Sequence, residues 1–149
     1  MERSLIIIKP DGVQRGLVGA ILERLERRGL QLAGLKLMQI PRELAERHYE
    51  AHRGKGFFEP TVAYMTSSPV VIAVLQGPKA ISVIRTTMGA TNAAEAAPGT
   101  IRGDYALDIS RNLIHGSDGP DSAEREVGLF FRPEELVVFT RDIQRWITE

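Results

Sequence analysis

A nucleophile near neutral pH needs an available lone pair, and this 149-residue chain has no cysteine and three histidines. His115 stands within Arg111-Asn112-Leu113-Ile114-His115-Gly116-Ser117-Asp118-Gly119. Two apolar residues lead into the imidazole, and a small, polar, glycine-rich turn follows it. An imidazole attacks an electrophile when one ring nitrogen is unprotonated and there is room beside it. Gly116 and Gly119 are expected to supply that room. The plain alternative is a histidine that ends a strand and bonds to a turn.

Glu126 adds weight to the first reading. Ala123, Val127 and Phe130 mark the inward face of a helix expected to open near Asp121, and Glu126 follows Ala123 by three residues. A carboxylate there accepts one imidazole N–H, fixes the tautomer and leaves the other nitrogen free. The ordinary reading is a solvated helix glutamate.

Four basic residues lie in uncharged or turn-like surroundings: Lys9, Arg85, Arg102 and, more weakly, Arg15. Lys9 ends an apolar run, where an ammonium is expected to need an anionic partner. Arg102 is flanked by glycines in the segment 98–104, and guanidinium suits phosphate oxygens geometrically. Each alone reads equally as a surface or salt-bridge residue. His48 and His52 have the four-residue spacing of a helical metal pair, but no third ligand accompanies them and Glu50 is out of place for a zinc-protease motif. Phe57 and Phe58 read as core residues by composition, with base stacking as the alternative for one ring. No phosphate-binding loop, dinucleotide fingerprint or protein-kinase signature set occurs.

The elements expected to position these groups alternate. Strands are expected over 4–9, 31–39, 69–76 and 112–115, and helices over 11–28, 41–52, 59–67, 78–88 and 121–130. Asp11 with Gln14, and Asp121 with Glu124, have capping-box spacing. A long loop over 89–103, rich in Ala, Thr, Gly and Pro, is expected to be functional, an interface or mobile. This alternation indicates an α/β layer structure without fixing strand direction. The length suits one domain, 1–149. Lys+Arg and Asp+Glu balance at 19 each, which gives no sequence-wide attraction to nucleic acid or an anionic membrane. The four-residue apolar run before Lys9 is too short for a signal peptide or a span, so a cytoplasmic protein is expected.

Taken together, the segments 8–16, 98–104, 112–118 and 122–130 resemble the nucleoside diphosphate kinase family, in order and in spacing, over nearly the whole chain. The resemblance implies a ferredoxin-like α+β sandwich with a four-stranded antiparallel sheet covered by helices. It implies γ-phosphate transfer, typically from ATP, to a nucleoside diphosphate by a ping-pong route through phosphorylated His115. In that frame Glu126 and Ser117 orient His115, and Tyr49 lies beside it. Lys9 and Asn112 contact ribose hydroxyl and phosphate, Arg85, Thr91 and Arg102 bind phosphate, and Phe57 stacks on the base with low base selectivity. Asp118 helps to hold Mg²⁺, through water. Assembly into a tetramer or hexamer is also implied. Gly56, Thr61 and Ala93 depart from the family's usual residues at non-catalytic positions. Two other classes carry the same residues: a nucleotide- or nucleic-acid-binding regulator that kept the fold, and a histidine phosphohydrolase that releases inorganic phosphate.

Overall fold

The computed structural model describes every residue from Met1 to Glu149. Its strands are β1 (Glu2–Ile8), β2 (Gln31–Met38), β3 (Val70–Gly77) and β4 (Ile114–Gly116). They form one sheet in the order β2-β3-β1-β4, and every pairing is antiparallel. The helices are α1 (Pro10–Gln14), α2 (Val18–Arg27), α3 (Arg42–His48), α4 (Phe58–Met65), α5 (Ala80–Met88), α6 (Ile101–Tyr105) and α7 (Pro120–Phe130). This is the α+β sandwich that the resemblance implied. No helix is long and apolar enough to cross a membrane.

The unbroken apolar runs of β1 and β3 follow from burial on both faces. Ile6, Ile8, Ala73 and Leu75 pack with Ile21 and Leu25 of α2 and with Ile84 and Met88 of α5. Leu5, Ile7, Ile72 and Val74 pack with Ala45 of α3, Val62 of α4 and Phe130 of α7. Such runs are commonest in parallel sheets, which also carry cover on both sides; here helices cover both faces of an antiparallel one. In β4, His115 lies opposite Ile7 of β1. Opposed residues share a face, so the imidazole projects toward α3 and α7.

Several expected boundaries shift for local reasons. The first expected helix is two helices, α1 and α2, separated where Gly16 takes φ +69°. Asp11 is not the cap of α1: Lys9 occupies that position, without a side-chain cap bond. The Asp11 carboxylate accepts from the Tyr64 hydroxyl and the Leu113 N–H instead. Likewise α7 begins at Pro120, and Ser122 Oγ accepts from the Gly119 N–H at 3.0 Å, the interaction assigned above to Asp121 and Glu124. The long loop contains a 3-10 turn, Ala93–Glu95, and the start of α6. The expected helix over 41–52 ends at His48, with a 3-10 turn, Glu50–His52, after it.

Candidate active site

The centre of the site is a short polar chain across β4 and α7. His115 Nε2 lies 3.0 Å from Glu126 Oε1, and the Ser117 hydroxyl donates to that same oxygen at 2.7 Å. Glu126 and Ser117 are buried, whereas the His115 side chain is 22% exposed and lines a cleft of about 310 Å³. Burial alone would raise the Glu126 carboxyl. The hydrogen bond and charge of His115, with the Ser117 hydrogen bond, hold it below its ordinary value instead. A carboxylate held ionised keeps the proton on Nε2. Nδ1 is then the ring nitrogen with a free lone pair.

The structure brings other expected residues to this centre in different ways. Tyr49 lines the same cleft, its ring 4.5 Å from that of His48, and burial pushes its hydroxyl well above the usual phenol range. Asp118 is exposed on the cleft wall and accepts from Ser122 Oγ at 2.6 Å. Arg85 borders both this cleft and an adjoining hollow lined by Thr91, and donates to the Gly116 carbonyl at 3.2 Å. Phe57 stands outside the cleft lining with 52% of its surface exposed, 5.1 Å from the ring of His52, which does line it. Phe58 is core, whereas Phe57 is not, so the core reading holds for only one of the two rings.

Lys9, Arg102 and Asn112 form a layer beneath. Lys9 Nζ donates to Asn112 Oδ1 at 2.8 Å, a neutral partner where an anionic one was expected. Burial, and next the charge of Arg102, push Lys9 down to about 8, against a smaller pull from Asp11. Asn112 Nδ2 donates to the Thr91 carbonyl at 2.9 Å. Arg102 is buried and donates to the carbonyls of Asn112, Gly89 and Ile114. Three of its five N–H groups are thereby committed to the backbone. Burial and then Arg85 push its guanidinium down to about 10.

The residue ahead of β4 is strained. Leu113 has φ +74°, and the Ile114 N–H donates to the Asn112 carbonyl across it at 2.9 Å, which makes a three-residue γ-turn. For a leucine this conformation costs about 1–3 kcal/mol. Gly116 does not supply the room expected of it. A Cβ there would meet Met88 Sδ at 2.6 Å on the opposite sheet face, so Gly116 serves packing against α5. A Cβ on Gly119 would meet nothing within 4 Å.

Sequence reasoning missed His48 and Arg125. The His48–His52 pair does not form, because α3 ends between them: His48 turns inward and is buried, while His52 faces Lys55 and Phe57. The ring of His48 lies 4.8 Å from that of His115, edge to face, and burial followed by His115 pushes it down to about 3. The four-residue spacing drew attention to His48 for the wrong partner. Arg125 lines the cleft and donates to the carbonyls of Arg47 and His48, tying α7 to α3. Nothing in its sequence context distinguishes it from the other helix arginines.

The donor sets separate two kinds of metal. His48, His115 and Glu126 offer ligand atoms within 4.8 Å of one another, but imidazole nitrogens do not suit Mg²⁺. Asp118 offers an exposed carboxylate on the cleft wall, whereas that of Glu126 is buried against His115 and Ser117, and one carboxylate suits an ion that arrives with phosphates.

Residues 2–136 match the family model described as nucleoside diphosphate kinase. The chain is 62% identical over 147 residues to a nucleoside diphosphate kinase of Thermomicrobium roseum, covering 99% of both chains. It is 60% identical over 149 residues to one of a Roseiflexus species, covering 100% of both. A halophilic nucleoside diphosphate kinase from Halobacterium salinarum, solved in complex with CDP, superposes with TM-score 0.97 at 51% identity and 99% coverage of both chains. A nucleoside diphosphate kinase family protein from Babesia bovis superposes with TM-score 0.97 at 40% identity, covering 99% of this chain and 100% of that one.

Proposed function

The chain belongs to the nucleoside diphosphate kinase family, enzymes of phosphotransfer between nucleotides, and from that premise we propose that His115 carries the phosphate in a ping-pong reaction. The observation that carries the proposal is the chain Ser117–Glu126–His115, which leaves Nδ1 as the nucleophilic nitrogen beside an open cleft. Nδ1 attacks the γ-phosphorus of a nucleoside triphosphate, typically ATP. The bond from that phosphorus to the bridging oxygen breaks, and the nucleoside diphosphate leaves with the electron pair. Positive charge develops on the imidazole, and the Glu126 carboxylate stabilises it through Nε2–H. A second diphosphate then takes the phosphoryl group by the reverse of these steps.

The remaining residues bind and orient. Phe57 offers an exposed ring to a base, and stacking accepts any base because each has a π-face. Arg85, Thr91 and the two uncommitted Arg102 donors face phosphate, Lys9 with Asn112 meets ribose and phosphate, and Tyr49 flanks the nucleophile. Asp118 would hold Mg²⁺ in the cleft, and the bound ion would neutralise phosphate charge. The whole chain acts as one domain, in the cytoplasm, as a homo-oligomer.

Incubation of the protein with [γ-³²P]ATP and Mg²⁺ alone is expected to leave acid-labile label on His115 at about one per chain. His115→Ala removes it and abolishes GTP formation from ATP and GDP. Addition of GDP to the labelled protein discharges the label as GTP; release as inorganic phosphate would identify a phosphohydrolase instead. Label that persists in His115→Ala overturns the assignment.

A further inference from the structure

Two side chains outside the reaction just described hold the γ-turn ahead of β4. The Leu113 N–H donates to Asp11 Oδ2 at 3.1 Å, and the Leu113 carbonyl accepts from the Lys9 N–H at 2.8 Å. Both backbone groups of the strained residue are therefore tied to the junction of β1 and α1. The Asp11 carboxylate is itself fixed. Its Oδ1 accepts from the Tyr64 hydroxyl at 2.5 Å, and the Asp11 N–H donates to that hydroxyl oxygen at 3.1 Å. Tyr64 comes from α4, 53 positions away from Asp11, and the Arg111 guanidinium covers its ring at 4.0 Å.

We propose that Asp11 and Tyr64 are positioning residues for phosphotransfer: together they clamp Leu113 in its left-handed conformation and so set Asn112 and His115 on either side of it. A leucine at positive φ persists only where its surroundings over-determine it. Here the N–H of the strained residue is held by a carboxylate, and that carboxylate by a hydroxyl. What lies on either side gives the clamp its consequence. Asn112, one residue earlier, holds Lys9 Nζ, and His115 follows two residues later. Arg102 grips the carbonyls of Asn112 and Ile114, immediately before and after Leu113. Relaxation of Leu113 to negative φ turns these two carbonyls relative to one another and rotates the start of β4. The imidazole then leaves the line on which Glu126 holds it. Neither Asp11 nor Tyr64 lines the cleft that His115 opens to, so their effect passes through the backbone.

This inference rests on His115 as the nucleophile, and the experiment separates the two claims. Tyr64→Phe deletes one hydroxyl and keeps the ring under Arg111. Asp11→Asn keeps one acceptor oxygen but cannot accept from both Tyr64 and Leu113. Single-turnover labelling by ATP is measured for both variants, for the double variant and for His115→Ala. ¹⁵N spectra report the His115 ring nitrogens and the Leu113 amide. Each single variant is expected to slow labelling about 10- to 100-fold, the scale of a small misplacement of reacting groups, with a smaller change in the KM for ATP. The double variant should be little slower than the slower single one, because the pair acts as a unit. The Leu113 amide should shift, and His115 should lose its single tautomer.

Labelling within twofold of wild type in Tyr64→Phe and Asp11→Asn, with the tautomer unchanged, overturns the clamp while leaving His115 as nucleophile. A rate that only tracks the folded fraction, with unchanged ring signals, overturns it too, because that is the mark of a purely structural pair. If Asp11→Asn fails to fold, Tyr64→Phe decides alone. Persistent label on His115→Ala defeats the underlying reading, whatever the clamp variants do.

Discussion

His48 shows how one buried side chain couples the site to acid stability. Its imidazole is pushed from 6.5 to about 3, mainly by burial and next by His115. Between those values the unfolded chain takes up a proton that the folded chain refuses. Stability therefore falls as pH drops from about 6.5 toward 3, by roughly 4 kcal/mol over the window if the unfolded value is unperturbed. Its Nδ1 is buried without a hydrogen-bond partner, and the attraction of the Glu126 carboxylate offsets only part of the desolvation of the charged form. In His48→Leu, which cannot titrate, the plot of urea midpoint against pH is expected to be shallower between pH 6.5 and 4 than in wild type. Parallel plots would sink the claim, since the acid sensitivity would then belong to carboxylates. A residue such as His48 is hard to read in a sequence because burial decides its chemistry, and burial depends on where α3 stops. By contrast His115 and Glu126 could be singled out locally, from a strand end before a glycine-rich turn and from an inward helix face, whereas Ser117 came only with the family resemblance.

At the scale of elements, the close approach of α6 to the loop before it sets where Arg102 reaches. A Cβ on Gly103 would lie 2.0 Å from the Ala97 carbonyl oxygen and 2.6 Å from its carbon. These are backbone atoms and cannot rotate away, unlike the Met88 side chain that faces Gly116. The Thr100 hydroxyl caps this helix by accepting from the Gly103 N–H at 2.9 Å, so the approach is built into the cap. Gly103→Ala must push α6 outward, at a cost of about 3 kcal/mol, and must draw Arg102 off the Asn112 and Ile114 carbonyls. A lowered thermal midpoint together with slower labelling is the expected result. A midpoint within a degree of wild type would mean that the loop yields freely and that α6 is not pinned. Local pattern had placed strands and helices well here, but not this contact. Positions 89–103 read as one loop because their Ala, Thr and Gly carry no periodicity. The 3-10 turn and α6 are set by caps from Asn92 and Thr100 and by tertiary packing of Ile101. Sheet direction was illegible for a related reason: two-faced burial erases the alternation that usually marks antiparallel strands.

At the scale of the whole molecule, the outer edge of β2 is finished along only half its length. Near its bulge, the Ala33 carbonyl accepts from the Val137 N–H at 2.8 Å, and Gln31 donates to the Phe139 carbonyl at 2.9 Å. The C-terminal segment thus covers the first half. Beyond it Leu35 and Leu37 are 51% and 66% exposed on one face of an edge strand. An open edge with exposed leucines is a template for strand pairing unless something covers it. The self-association proposed above would supply that cover if it forms through this edge. Antiparallel pairing of β2 with β2 of a second copy is self-complementary, so it closes as a two-fold dimer and cannot continue into a fibre through that edge. A tetramer or hexamer then requires a second, different contact between dimers. The cleft at His115 opens elsewhere, on the α3 and α7 face, so each copy keeps its own site. Leu35→Lys combined with Leu37→Lys places two charges at the centre of the pairing and leaves the buried face of β2 untouched. Sedimentation velocity is expected to show loss of the dimer contact, while circular dichroism retains the wild-type sheet signal. Because the nucleophile, its carboxylate and the γ-turn clamp lie within one chain, the dissociated form should still accept label from ATP. An assembly unchanged in mass would place the interface on another surface and leave these leucines without a partner.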